Sequence, residues 1–250
     1  MVKCVCVVMA MEAEATPFIE LMGLKRNADA LDARLPCEVY SGTVKDAPDV
    51  ALHVVLNGKC PLYGVDIVGT AGAAVTTAAA IQALGPDLVV NAGTCGGFRA
   101  RGGAVGSAYV CGDFINHDRR IPLPGFDAFG SGRLLSLGDG RRVSAALCES
   151  VGATSGVVTS GNSLDMCAED ATRIEAAEAT CKDMEGAAIA YMCRTMGVPM
   201  FAVKSVTDVV DGDKPTPDEF MENLASAAKA LQEALPKALA HVAAGKALHE

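Results

Sequence analysis

Three acidic residues in this chain stand where solubility alone does not account for a carboxylate. Glu14 ends the segment Ala10-Met11-Glu12-Ala13-Glu14, just past the apolar run from Val2 to Met9. Asp208 follows the apolar run Val198 to Val206, and Glu185 closes Cys181-Lys182-Asp183-Met184-Glu185 before a stretch of small apolar residues. Thr94 and Leu164 fall beyond two further strand-like runs. In a parallel-rich sheet, positions at the carboxyl ends of strands gather on one edge, where α/β proteins bind ligands. Several acids with little positive charge to balance them suit a neutral, hydroxyl-rich substrate attacked by water. Two carboxylates dividing acid and base roles is the logic of glycoside hydrolysis. A carboxylate at Glu185 has acceptor capacity for two neighbouring hydroxyls, as on a ribose, and Met184 can lie against the sugar's apolar face. Taken alone, the same segment is equally a plain helix start, because the N-terminus of the helix that follows favours the anionic form of Glu185.

The elements that must position these groups follow from periodicity. Val2 to Met9 is a buried parallel strand that switches to helical spacing at Met11. Cys37 to Val44 and Asp49 to Leu56 form a hairpin, and the Ala-rich stretch between Gly64 and Leu84 ends as a helix at Gly85-Pro86. Asp87 to Val90 is a short strand opening into a glycine-rich turn, Asn91-Ala92-Gly93-Thr94-Cys95-Gly96-Gly97, which matches neither the dinucleotide nor the phosphate-loop pattern. Val105 to Phe114 is a strand, Leu123 to Arg141 a long loop, Arg142 to Val151 a helix, and Gly156 to Ser160 a strand. The run Ala187 to Met192 has no polar face and is expected as a buried helix. In the last helix, from Pro217, residues Phe220, Leu224, Ala228, Leu231 and Leu235 recur at helical spacing and are expected in the core. His117 is expected to be a satisfied structural histidine.

Composition sets the bounds. The 250 residues are 50% hydrophobic and 20% charged, enough for one mixed α/β domain spanning 1–250 with six or more strands. A net charge of -9 without a basic cluster excludes a nucleic-acid surface. Ten cysteines lie singly along a core-forming chain, and the Cys4/Cys6 pair lacks companion ligands at zinc spacing, so reduced thiols and no metal are expected. The N-terminal run is a first strand rather than a signal peptide, and no apolar run reaches membrane-spanning length. A soluble chain in a reducing, cytoplasmic compartment, with no membrane partner and no cofactor, is the expectation.

The motifs already quoted, with His117-Asp118-Arg119-Arg120-Ile121-Pro122, Ser160-Gly161-Asn162-Ser163-Leu164-Asp165-Met166 and Val206-Thr207-Asp208, resemble in order and along nearly the whole chain a known family. This is the 5′-methylthioadenosine/S-adenosylhomocysteine nucleosidases of the purine and uridine phosphorylase superfamily, the plant type above all. The resemblance implies a three-layer α/β sandwich with a central mixed, partly barrel-like sheet flanked by helices, assembled as a homodimer. It implies a small adenine nucleoside as substrate, cleaved to adenine and a 5-thioribose in methionine salvage. By position it makes Glu14 the water-activating acid and Asp208 the proton donor to adenine N7, which requires burial to raise the pKa of Asp208 while Glu14 stays ionised. It places Glu185 on the ribose 2′- and 3′-hydroxyls, and Thr207 beside the proton donor. Thr94 would lie near water and ribose, the Leu164 backbone on the adenine edge, and Met11 and Met184 near the nucleophile and the sugar.

Two departures from the family pattern stand out. Asn162 replaces the usual Asp, removing a charge beside the adenine loop, and Lys59-Cys60-Pro61 differs from the usual loop. Phosphorolysis is the competing chemistry; it needs cations to hold phosphate, for which Lys59 and Arg119 are the candidates, whereas Asn91 stands where hexameric phosphorylases carry an Arg. A non-catalytic, storage-type relative is the other alternative, against which the retention of Glu14, Glu185 and Asp208 argues.

Overall fold

A computed structural model describes residues 1–137 and 142–249. The chain runs β1 (Cys4–Met9), α1 (Glu12–Met22), β2 (Lys25–Arg26), β3 (Glu38–Val44), β4 (Ala47–Leu56), α2 (Thr70–Leu84) and β5 (Leu88–Gly97). It continues with β6 (Ala108–Asn116), α3 (Asp127–Ser131), β7 (Leu134–Leu135), α4 (Ala145–Val151), β8 (Thr154–Ser160) and α5 (Ala168–Ala176). It ends with β9 (Cys181–Asp183), α6 (Gly186–Met196), β10 (Met200–Val209) and α7 (Thr216–Ala243).

Strand periodicity explains the layering. Along β1, Val5, Val7 and Met9 pack into a core shared with Phe18 of α1 and Leu231 and Leu235 of α7. Cys6 and Val8, on the opposite face, pack with Ala73 and Ala80 of α2 and Ile189 of α6. Because successive side chains alternate across a strand, one apolar run serves both cores, and the result is a sheet between two helical layers. β5 pairs with β1 and β10, both parallel, and with β9, antiparallel. β10 pairs with β6, β6 with β8, and β8 with β9, so β5, β10, β6, β8 and β9 close into a five-stranded barrel. Beyond β1 the sheet continues open through β4, β3 and β2.

The β3–β4 hairpin and the end of α2 at Gly85 follow the sequence reading. Four other elements differ. The glycine-rich segment 91–97 is not a turn but the second half of β5, since barrel closure pairs it with β10 and β9. β10 likewise runs on to Val209, with a register shift between Val206 and Asp208. The long 123–141 segment holds α3 and β7; its residues 138–141 lie outside the described residues. The helix α6 is buried on one side only: Ile189 and Cys193 are enclosed, but Tyr191 faces out. No helix among the described residues is long and apolar enough to cross a membrane.

Where β4 ends, Gly58 crosses the chain at Pro36 with φ +80°, and a Cβ there would stand 1.7 Å from the Pro36 carbonyl oxygen. Backbone can yield neither way. Gly58→Ala is therefore expected to cost more than about 3 kcal/mol, read as a lower urea midpoint at unchanged slope.

Candidate active site

Every site residue picked from the sequence lines one cleft of about 280 Å³ at the rim of the barrel: Met11, Glu14, Thr94, Leu164, Met184, Glu185, Thr207 and Asp208. Glu14 enters from the first turn of α1 and is buried. Its Oε1 accepts two hydrogen bonds from Thr94 on β5, from the backbone N–H at 2.7 Å and the hydroxyl at 2.6 Å. Met11 is the N-cap of the same helix, and its carbonyl accepts from the Glu14 N–H.

Asp208 reaches the cleft from the β10 bulge, where one extra residue re-aims the strand. The Thr207 hydroxyl donates to Asp208 Oδ1 at 2.7 Å and lies 3.2 Å from the Cys95 carbonyl. Gly96 makes room: a Cβ there would fall 2.9 Å from Asp208 Oδ2 and 2.5 Å from Val210. Burial raises the Asp208 pKa and the Glu219 carboxylate adds to it, while the Thr207 hydroxyl and Lys182 oppose. The direction is the one a proton donor requires.

Glu185 meets the cleft from the start of α6. It is the N-cap of α6, but its side chain makes no capping bond; Oε1 instead accepts from the Gly69 N–H at 2.7 Å, at the start of α2. Desolvation first and the Asp183 carboxylate second, against the opposing Lys204 ammonium and the Gly69 N–H, push its pKa up to about 7. Burial thus works against the anionic form that a helix N-terminus favours, and the net direction is up. Asp183 takes the capping role: its Oδ2 accepts from the Gly186 N–H at 2.9 Å. Its Oδ1 accepts from the Ser160 hydroxyl at 2.5 Å, and Lys204 Nζ lies 2.8 Å from Oδ2.

Lys204 and Lys182 line the cleft but were not singled out from the sequence. A lone lysine within the apolar run of β10 was the available signal, since a buried ammonium demands an internal carboxylate. Burial alone would depress the Lys204 pKa, yet Asp183 and Glu185 more than offset it and hold the ammonium charged. Lys182 Nζ donates to the carbonyls of Ser163 and Leu164, at 2.7 and 3.0 Å, and so ties the loop after β8 to β9. Phe220, assigned by spacing to the core, lines the cleft instead; Ala228, Leu231 and Leu235 are core.

The remaining candidates lie elsewhere. His117 is fully buried with Nδ1 3.0 Å from the Thr159 hydroxyl, outside the cleft lining. Lys59 pairs with Glu12 at 2.6 Å. Arg119 donates to the Phe129 and Gly130 carbonyls and stacks on the Phe129 ring at 4.7 Å. Asn162 turns away from the cleft: its Oδ1 accepts from the Thr70 N–H and hydroxyl, and its backbone N–H donates to Asp118. Among the described residues no cluster of His, Cys, Asp and Glu could hold a metal ion.

Residues 5–240 match the model of the phosphorylase superfamily. The 5′-methylthioadenosine nucleosidase of Arabidopsis thaliana is 41% identical over 239 residues, covering 95% of this chain and 86% of the relative. A 5′-methylthioadenosine/S-adenosylhomocysteine nucleosidase of the same plant is 38% identical, covering 97% and 92%. The solved structure of the Arabidopsis thaliana 5′-methylthioadenosine nucleosidase in apo form superimposes with a TM-score of 0.90 at 40% identity, covering 96% of each chain.

The Lys204–Asp183 pair is 2% and 1% exposed. Lys204→Met leaves a buried carboxylate without its countercharge, and a loss of about 3–5 kcal/mol in urea unfolding is expected. Adding Asp183→Asn to the same chain is expected to restore part of that loss, so the double variant falls short of the sum of the singles.

Proposed function

The chain belongs to the phosphorylase superfamily, and within it we propose that this protein hydrolyses the N-glycosidic bond of 5′-methylthioadenosine, releasing adenine and 5-methylthioribose in methionine salvage. S-adenosylhomocysteine, which carries a larger group on the same sulfur, is the second substrate of this class. The observation that carries the reading is that Glu14 and Asp208 line one cleft with Glu185, while both lysines of that cleft are already committed to protein oxygens. Phosphorolysis would need a cation to hold phosphate. Lys59 and Arg119, the other candidates, are bound elsewhere, and Asn91 contributes an amide that donates to the Val8 carbonyl at 3.3 Å.

In this reading Asp208, whose proton burial favours, donates to adenine N7 as the glycosidic bond breaks, so the purine leaves neutral. The sugar becomes oxocarbenium-like, and the surrounding carboxylates stabilise the developing positive charge. Glu14, oriented by its two bonds from Thr94, takes a proton from the attacking water. Glu185 accepts from the ribose 2′- and 3′-hydroxyls. Met184 and Met11 pack on sugar and water, and the Leu164 backbone, held by Lys182, meets the adenine edge. Thr207 fixes the Asp208 carboxyl.

We also place the protein in the cytoplasm as a homodimer. The 62–65 loop and the 123–129 segment present Leu62, Tyr63, Val65, Leu123, Phe126 and Phe129 to solvent, and exposed apolar groups in such number mark a surface that binds another. Light scattering after gel filtration is expected to give twice the 25.6 kDa chain mass; a monomer at micromolar concentration rejects the dimer. Adenine release from 5′-methylthioadenosine is expected without phosphate and unchanged by its addition. Asp208→Asn is expected to lower kcat by about 10²–10⁴-fold with the fold intact by circular dichroism. Undiminished release in that variant would remove Asp208 from the reaction.

A further inference from the structure

The first turns of α7 grip the piece of β10 that carries Asp208. Glu219 Oε2 accepts from the Val209 N–H at 2.8 Å, and Asn223 Nδ2 donates to the Thr207 carbonyl at 3.0 Å and to the Glu219 carbonyl at 2.9 Å. The residues before and after Asp208 are thus both fastened to one helix, across the bulge where the β10 register shifts. A bulge left to itself is a soft spot in a ladder, and here side chains supply bonds that hold it. The Glu219 carboxylate turns to β10 rather than back to the start of its own helix, where no side-chain cap is formed. A first-turn acid serving only the helix end would face the other way.

We infer that Asn223 and Glu219 are positioning residues for the proton donor: from one helix they fasten the residues on either side of Asp208 and so fix its aim and its surroundings. The inference rests on the reading of Asp208 as that donor. The groups facing Asp208 are few. Lys182 comes from β9, Glu219 from α7 and the Thr207 hydroxyl from its own strand. Burial raises the Asp208 pKa first, Thr207 lowers it, Glu219 raises it and Lys182 lowers it. Glu219 is the group on the proton-retaining side that substitution can neutralise without opening the cleft, because an amide in its place still accepts from the Val209 N–H.

The sign follows. Removing the Glu219 charge makes Asp208 lose its proton at lower pH, so activity that needs the protonated acid fails earlier as pH rises. Glu219→Gln is expected to move the alkaline limb of kcat for adenine release to lower pH, a loss of about threefold or more on that limb, with the plateau within about twofold of wild type. Glu219→Asp, which keeps the charge, is expected to retain the wild-type limb. Asn223→Ala is expected to lower kcat about tenfold at every pH without moving the limb. Carbon-13 NMR titration of the Asp208 carboxyl in the free protein reads the same shift without substrate. An unmoved limb and an unmoved titration in Glu219→Gln overturn the role of Glu219, and wild-type kcat in Asn223→Ala overturns that of Asn223. Should the wild-type protein release no adenine while the NMR titration shifts as stated, the hydrolase reading falls and the effect of Glu219 on Asp208 stands.

Discussion

The buried ion pair between Lys204 and Asp183 is the contact on which the site's geometry depends. Through it β10 is tied to β9, through the Ser160 hydroxyl β9 is tied to β8, and through the Gly186 N–H the whole assembly is tied to the start of α6. The Ser160 oxygen in turn accepts from the Ala187 N–H at 2.8 Å. Such pairs add little net stability over an apolar packing of the same volume, because desolvation offsets most of the attraction. What this one contributes is placement. An apolar trio at these positions would let the strands of the barrel rim slide, whereas a charged pair with every acceptor filled admits one arrangement. Glu185, two residues beyond Asp183, inherits its position from it.

The acids of the cleft differ by environment rather than by type. Asp183 has an ammonium at 2.8 Å and two further donors. Asp208 has a hydroxyl and a distant lysine against burial and another carboxylate, and burial wins. Glu185 has one backbone N–H at 2.7 Å, and burial, with Asp183 nearby, pushes it up to about 7. Asp208 and Glu185 thus share one direction of shift but not one set of partners, and it is the partners that distinguish the acids of this cleft.

Much of this was legible in the sequence, for a stated reason. Glu14 and Asp208 each follow an apolar run and Glu185 precedes one, and topology brings the ends of parallel strands to one rim, so their convergence needed no distances. The second half of β5 was not legible, because Asn91-Ala92-Gly93-Thr94-Cys95-Gly96-Gly97 is locally a turn sequence; only pairing on both sides, a long-range property, makes it strand. Phe220 failed for the opposite reason. Its spacing fits the core stripe of α7, but the helix begins beyond the barrel rim, so its first turns face the cleft while the same stripe further on faces the sheet. Lys204 was visible as a lone charge in an apolar strand, yet nothing local says which carboxylate answers it.

Three consecutive residues of β5 set the two ends of the chemistry. Thr94 holds Glu14, the Cys95 carbonyl receives Thr207, and the bare face of Gly96 admits Asp208. From Thr94 to Gly96 a strand advances about 7 Å, the separation that the proposed hydrolysis asks for, with a sugar and a water between Glu14 and Asp208. Because β5 is paired to β10 on one side and to β1 and β9 on the other, that spacing cannot breathe without breaking the sheet. The glycines that made the segment resemble a loop are therefore what allow a rigid strand to carry a site. A side chain at Gly96 would occupy the space of the Asp208 carboxyl, and a true loop there would surrender the fixed distance between the two carboxyls.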